Sequence, residues 1–151
     1  MSVDDFLLVR LGRSLTALER TLGLLRIQLL DLPRISLAWD GDGNLDVLVP
    51  LSACRIPHER LAAELRTLRD VRDVRLVQGQ GDAGIREMAL ARVSTDGIPD
   101  PSGSIRLVTQ SGDTAVVEIS GSPREIDRTL EGLRSTGALL RTSRTGGITV
   151  E

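Results

Sequence analysis

Asp40-Gly41-Asp42-Gly43-Asn44-Leu45-Asp46-Val47-Leu48-Val49-Pro50-Leu51 is the stretch on which the fold turns. Its first five residues are a concentrated turn signal. Leu45, Val47, Val49 and Leu51 then alternate at period two, the spacing of a strand with one buried face. Ile35 to Trp39, just upstream, also has strand character, so the pair predicts a β-hairpin. Further upstream, Leu15, Leu18, Leu22, Leu25 and Leu29 recur at steps of three and four, one stripe of a helix, with Ser14 placed as its N-cap. Phe6 to Leu11 is a short apolar run suited to a buried strand. Downstream, Leu61, Leu65 and Leu68 mark a second amphipathic helix. Pro57, whose fixed backbone angle suits a first helical turn, precedes it. Val74 to Val77 closes the series as a strand. The first half therefore reads strand-helix-strand-strand-helix-strand. That order defines a ferredoxin-like sandwich, in which two helices cover one face of a four-stranded antiparallel sheet.

Gln78 to Gly84 is a glycine-rich linker, which divides the chain into a domain at 1–78, a linker at 79–84 and a domain at 85–151. The second half begins in the same way. Arg86 to Val93 reads as a strand, followed by Ser104 to Val108 and by Thr114 to Gly121. Ser94 to Gly103, between the first two, holds Pro99, Pro101, Gly97 and Gly103 and cannot be a regular helix. The last helix is well marked: Ser122 as N-cap, Pro123 at the first position and Glu125 completing a capping box. Ile126, Leu130 and Leu133 form its stripe, Gly137 fits a left-handed stop, and Arg141 to Gly146 closes the chain. The expected fold class is α+β, two tandem ferredoxin-like sandwiches with one helix missing from the second.

Composition excludes several function classes. The chain has 151 residues, 40% of them hydrophobic and 26% charged, ordinary values for a soluble protein. Phe6 and Trp39 are the only aromatics, so the core must be aliphatic and a stacking platform for bases is not expected. All 19 basic residues are arginine, which removes lysine chemistry. A formal net charge of -2 argues against nucleic-acid binding. One cysteine, Cys54, allows neither an internal disulfide nor a cysteine zinc cluster. Phe6 to Val9 is too short for a signal peptide, and no apolar run nears membrane-spanning length, so a cytoplasmic protein without membrane contact is expected.

Several motifs imitate chemistry. Gly79-Gln80-Gly81-Asp82-Ala83-Gly84 spells a dinucleotide fingerprint, but a strand follows where a helix must hold the pyrophosphate, so it reads as linker. Asp40, Asp42 and Asn44 open like a calcium loop, but its sixth position is Leu45 rather than glycine and its twelfth is Leu51 rather than glutamate. Cys54 and His58 stand four apart with no third orienting group. Glu125, Arg128, Asp127 and Glu131 read as solvated charges on a helix face. No catalytic constellation survives.

The words Arg86-Glu87-Met88-Ala89-Leu90-Ala91-Arg92-Val93, Val117-Glu118-Ile119-Ser120-Gly121-Ser122-Pro123-Arg124-Glu125-Ile126-Asp127 and Arg144-Thr145-Gly146 carry a resemblance. They resemble the strand "R-E-L-A-L-I-K-V", the strand-into-helix "V-E-V-T-G-T-P-E-K-I-D" and the closing "R-T-G" of the acetolactate synthase small (regulatory) subunit family. The resemblance implies an ACT domain in the first half and a C-terminal ferredoxin-like domain that normally keeps the helix missing here. Val71-Arg72-Asp73-Val74 matches the family's "V-x-x-V" turn before the fourth strand. By family position, Arg10, Gly12, Arg13, Ser14, Gln28 and Leu29 occupy the effector site between two ACT domains. Arg10 and Gln28 stand where the family has asparagine, and Arg13 where it has glycine. Glycine lets backbone amides approach a ligand carboxylate, and arginine fills that space. A conventional valine site is therefore not expected, although the arginines remain suited to a different anion.

The resemblance implies a non-catalytic regulatory subunit that activates a thiamine-dependent catalytic large subunit in branched-chain amino acid biosynthesis or a related pathway. Thiamine diphosphate and magnesium are then expected in that partner and no cofactor in this chain. The alternative is a free-standing ACT-type dimer that senses a small anionic or amino-acid effector. Homodimerisation through the first half is expected in both cases. The sheet face left by the missing helix, with Met88, Leu90, Ile105, Leu107, Val117 and Ile119, is expected to contact a partner.

Overall fold

The structure is a computed structural model that describes residues 5–31, 34–51, 54–78 and 84–149. It divides into two compact units, Met1–Asp82 and Ala83–Glu151. The expected linker at 79–84, with the fingerprint-like glycines, lies outside the described residues apart from Gly84.

In the first unit the elements run β1 (Asp5–Gly12), α1 (Leu15–Gln28), β2 (Ser36–Trp39), β3 (Asn44–Pro50), α2 (His58–Arg66) and β4 (Val71–Gln78). The sheet order is β2-β3-β1-β4, with every pair antiparallel, which is the ferredoxin-like arrangement. Register aligns the aliphatics: Leu7 opposes Val49, Val9 opposes Val47 and Val74, and Leu11 opposes Leu45. These side chains share one face and pack with Leu61, Ala62 and Leu65 of α2. The hairpin turn is closed by Asp40, whose Oδ1 accepts from the amides of Asp42 and Asn44 and whose Oδ2 accepts from Asn44 Nδ2 at 2.7 Å. Gly43 supplies the positive φ of 82° that this turn requires.

Two expectations need correction here. Ser14 does cap α1, accepting from the Ala17 amide at 3.3 Å, but the buried face of α1 is Ala17, Thr21 and Leu25. Of the leucine stripe, Leu25 is buried and Leu18 and Leu29 pack against the core, whereas Leu15 is 86% exposed and Leu22 is also exposed. Small residues let α1 lie close to the sheet, and the Thr21 hydroxyl is satisfied by donating to the Ala17 carbonyl. Secondly, Val71-Arg72-Asp73-Val74 is not a turn before the fourth strand. It is the first half of β4, with Val71 opposite Leu11 and Asp73 opposite Arg10.

The second unit runs β5 (Ile85–Ser94), β6 (Ile105–Ser111), β7 (Thr114–Gly121), α3 (Pro123–Ser135), β8 (Leu139–Arg144) and β9 (Ile148–Thr149). Its sheet order is β6-β7-β5-β8, with β9 pairing the start of β5. Ser122 and Glu125 form the expected capping box on α3, and Gly137 takes a φ of 74°. The core is thin: Ala89, Ala91, Ala115 and Ala138 join Val93, Val117 and Ile119 beneath Ile126, Leu130 and Leu133. Where a second helix would stand there is one 3-10 turn, Thr95–Gly97, and Ile98 packs on the core in its place. The Ser94 amide donates to the Ala138 carbonyl at 3.0 Å, which draws this segment against the start of β8.

The expected contact face mixed two sides of one sheet. Ala89 opposes Ile119 and Ala91 opposes Val117, and all four are buried on the side of α3. Leu90 opposes Glu118, so Leu90 and Met88 point to the other side, because strand neighbours alternate faces. Val117 is fully buried and unavailable to a partner, Ile105 is half-buried, and Leu107 and Met88 stay exposed on opposite faces.

A Cβ added to Gly97 would overlap the Ala138 side chain. Gly97→Ala is expected to destabilise the second unit by about 1–3 kcal/mol, and Gly97→Ala with Ala138→Gly to recover most of that loss. Urea unfolding of the two variants checks this.

Candidate functional site

The family-position residues fall into two groups at opposite ends of α1. The helix is fourteen residues long, about 20 Å at 1.5 Å per residue. Arg10, Gly12, Arg13 and Ser14 lie at the N-terminal end, Gln28 and Leu29 at the C-terminal end. One chain does not bring the two groups together.

At the first end the polar groups are already engaged. Arg10 Nε donates to Asp46 Oδ1 at 2.9 Å and its second nitrogen to Oδ2 at 3.2 Å, a bidentate pair across β1 and β3, with Asp40 3.9 Å away. The Arg13 guanidinium lies over the Trp39 ring, 4.4 Å from its centre. Gly12 lies beneath Arg72, which donates to the Asn44 side chain. The Ser14 hydroxyl accepts the capping bond. Asp40 sits below the usual aspartate range, first because Asn44 donates to it from side chain and backbone, then through Asp42 and the charge of Arg10.

At the other end Gln28 Nε2 donates to Glu64 of α2 at 3.2 Å, and the Gln28 backbone carbonyl accepts from the Arg55 amide at 2.7 Å. Leu29 forms an isolated bridge with Cys54. Beside them lies a groove of about 510 Å³ lined by Leu22, Leu25, Arg26, Leu29, Leu30 and Ile35. Leu15, Leu22, Ile27 and Leu30 on or next to α1, with Leu37 and Trp39 on the edge strand β2, are exposed apolar surface. Sequence reasoning expected two copies to pair through the first half but did not separate the exposed leucines of α1 from the buried one. The tell-tale was Ala17 and Thr21, which share a helical spacing with Leu25.

The words behind the family resemblance meet in one place. Arg144 Nε donates to Glu87 at 2.6 Å, its first terminal nitrogen to Asp127 and its second to the Pro123 carbonyl at 3.0 Å. Thr145 accepts from the Met88 amide and donates to the Met88 carbonyl, each at 3.1 Å. Asp127, read from the sequence as a solvated charge, is exposed as expected but also holds Arg144, and Glu125 completes the expected capping box. Burial alone lowers the pKa of Arg144, but the bonds to Asp127 and Glu87 outweigh it and the guanidinium is held more firmly protonated. This cluster is a clasp between β5, β8 and α3.

Among the described residues, no group of three His, Cys, Asp or Glu side chains is placed to hold a metal ion, and no helix is long and apolar enough to cross a membrane. His58 begins α2 with Nδ1 3.7 Å from Asp5, and Cys54 lies in the bridge to Leu29.

No family model matches the chain, and no curated protein sequence matches it. Among solved structures it is similar to the acetolactate synthase small subunit from Thermotoga maritima. The TM-score is 0.70 at 14% identity, covering 97% of this chain and 95% of that one. A microcompartment protein from Desulfitobacterium hafniense DCB also aligns, at a TM-score of 0.36 and 12% identity, too low to carry an argument. The first likeness establishes the fold: α+β, two tandem ferredoxin-like units of which the first is of the ACT type.

Arg144→Met is expected to destabilise the second unit by about 3 kcal/mol, because it removes the cation that Glu87 meets in the interior, and Arg144→Met with Glu87→Met to cost less. Thermal melts of both variants measure the difference. The Asp40 carboxyl is expected to titrate below 3.8 by NMR. Because its pKa is depressed on folding, the stability it lends the turn is present above that value and lost as pH falls through the folded-state pKa.

Proposed function

We propose that this chain is a non-catalytic accessory subunit that binds and activates a thiamine-diphosphate-dependent, acetolactate synthase-like catalytic subunit. The observation that carries the reading is the tandem ferredoxin-like fold matched along 97% of the chain to an acetolactate synthase small subunit. The sequence words that resemble that family support it, since they fall in the Arg144 clasp that organises the second unit. Thiamine diphosphate and its magnesium ion belong to the catalytic partner in this reading. This chain acts by binding that partner more tightly in its active arrangement, and a tenfold shift in that population needs about 1.4 kcal/mol of differential binding.

The exposed α1 surface and the edge strand β2 are the surfaces through which two copies pair, covering an open strand edge and wet leucines together. They equally favour the second reading, a free-standing ACT-type sensing dimer. Feedback by valine is lost in either case. Arg10 is engaged by Asp46, Arg13 by Trp39 and Ser14 by its own helix, so none stands ready for an amino-acid zwitterion. Two lost hydrogen bonds to charged groups amount to roughly 3–6 kcal/mol, a hundredfold or more in affinity.

Adding the chain to the acetolactate synthase-type catalytic subunit of the same genome is expected to raise its turnover saturably, and valine to leave that rate unchanged at millimolar concentration. A flat titration removes the accessory-subunit reading and leaves the sensing dimer. Micromolar binding of valine, leucine or isoleucine by calorimetry removes the claim about feedback.

A further inference from the structure

The outward face of the second sheet carries a charge arrangement that folding does not explain. Register sets Arg92 of β5 directly opposite Arg141 of β8, and like charges facing across a ladder are destabilising. Neither guanidinium has an acidic partner among the described residues; Glu118, on the same face, is held by Arg106 at 3.0 Å. Both arginines border one depression of about 260 Å³ with Leu90, Val116, Thr142 and Ser143. Leu90 is 40% exposed, so the depression offers an uncovered apolar side chain beside two unneutralised cations.

Charge that guards a sheet edge against aggregation accounts for Arg141, because β8 is an edge strand. It does not account for Arg92, because β5 lies inside the sheet. A second copy laid on this face brings cations against cations. A carboxylate between the two guanidiniums relieves their repulsion and accepts charge-assisted hydrogen bonds from both.

We infer that this depression docks an acidic segment of a partner protein, one carboxylate bridging Arg92 and Arg141 and one apolar side chain lying over Leu90 and Val116. The identity of the partner rests on the proposed function, which makes it the catalytic subunit.

Biolayer interferometry of the full chain against the purified catalytic subunit tests this, with Arg92→Glu/Arg141→Glu and Arg92→Thr compared to wild type. The double reversal is expected to weaken binding roughly tenfold or more and to flatten its salt dependence. Arg92→Thr is expected to weaken binding while its melting temperature stays level or rises, since it removes a repulsion that a purely structural arginine would not relieve. Wild-type binding with unchanged affinity in both variants overturns the docking site alone. Absence of wild-type binding overturns the docking site and the accessory-subunit reading together. A fall in oligomeric mass on charge reversal assigns the face to a second copy, and displacement of the partner by micromolar inorganic phosphate assigns it to a free anion; either result also overturns the inference.

Discussion

The guanidinium of Arg144 reaches three parts of the second unit at once: Glu87 on β5, Asp127 on α3 and the carbonyl that opens that helix. Its side chain is 10% exposed and that of Glu87 1%, so the charges meet where water contributes little. A planar fork with five donors suits this position, and a lysine does not reach three acceptors in the same way. A ferredoxin-like unit that lacks a helix has less apolar area with which to hold its sheet and remaining helix together. The clasp fixes where α3 sits, α3 covers the alanine-rich centre of the sheet, and that cover decides which face of β5 and β7 remains open. In the first unit, Arg10 makes a comparable bidentate bond across β1 and β3 to Asp46.

Much of the architecture is written in short-range chemistry. The period-two run after Asn44, the Asp-Gly-Asp-Gly turn and the Ser122–Glu125 box each depend on neighbours within a few residues, and each appears as its local physics dictates. What could not be read depends on distant partners. Leu15 and Leu22 fit a buried stripe as well as Ala17 and Thr21 do, and only the sheet opposite selects the smaller side chains. The faces of Met88 and Val117 follow from β5–β7 register, which a single strand does not encode. The clasp was legible as words but not as a contact, because Glu87 and Arg144 are 57 residues apart.

The candidate effector positions show a similar gap between sequence and chemistry. Arginines at 10 and 13 read as anion ligands, yet one is bound to a carboxylate and the other rests on an indole. The recognition capacity that folding leaves unspent lies on surfaces: the leucines of α1 with the β2 edge, and the open side of β5 and β8. The accessory role proposed above draws on these two faces.

Hydrogen exchange on the chain, alone and mixed with the catalytic subunit, tests that account most directly. The amides of β5 and β8 are expected to gain protection in the mixture, while valine leaves the loop between β1 and α1 unchanged. Protection that leaves β5 and β8 untouched, or a β1–α1 loop that slows on adding valine, contradicts it.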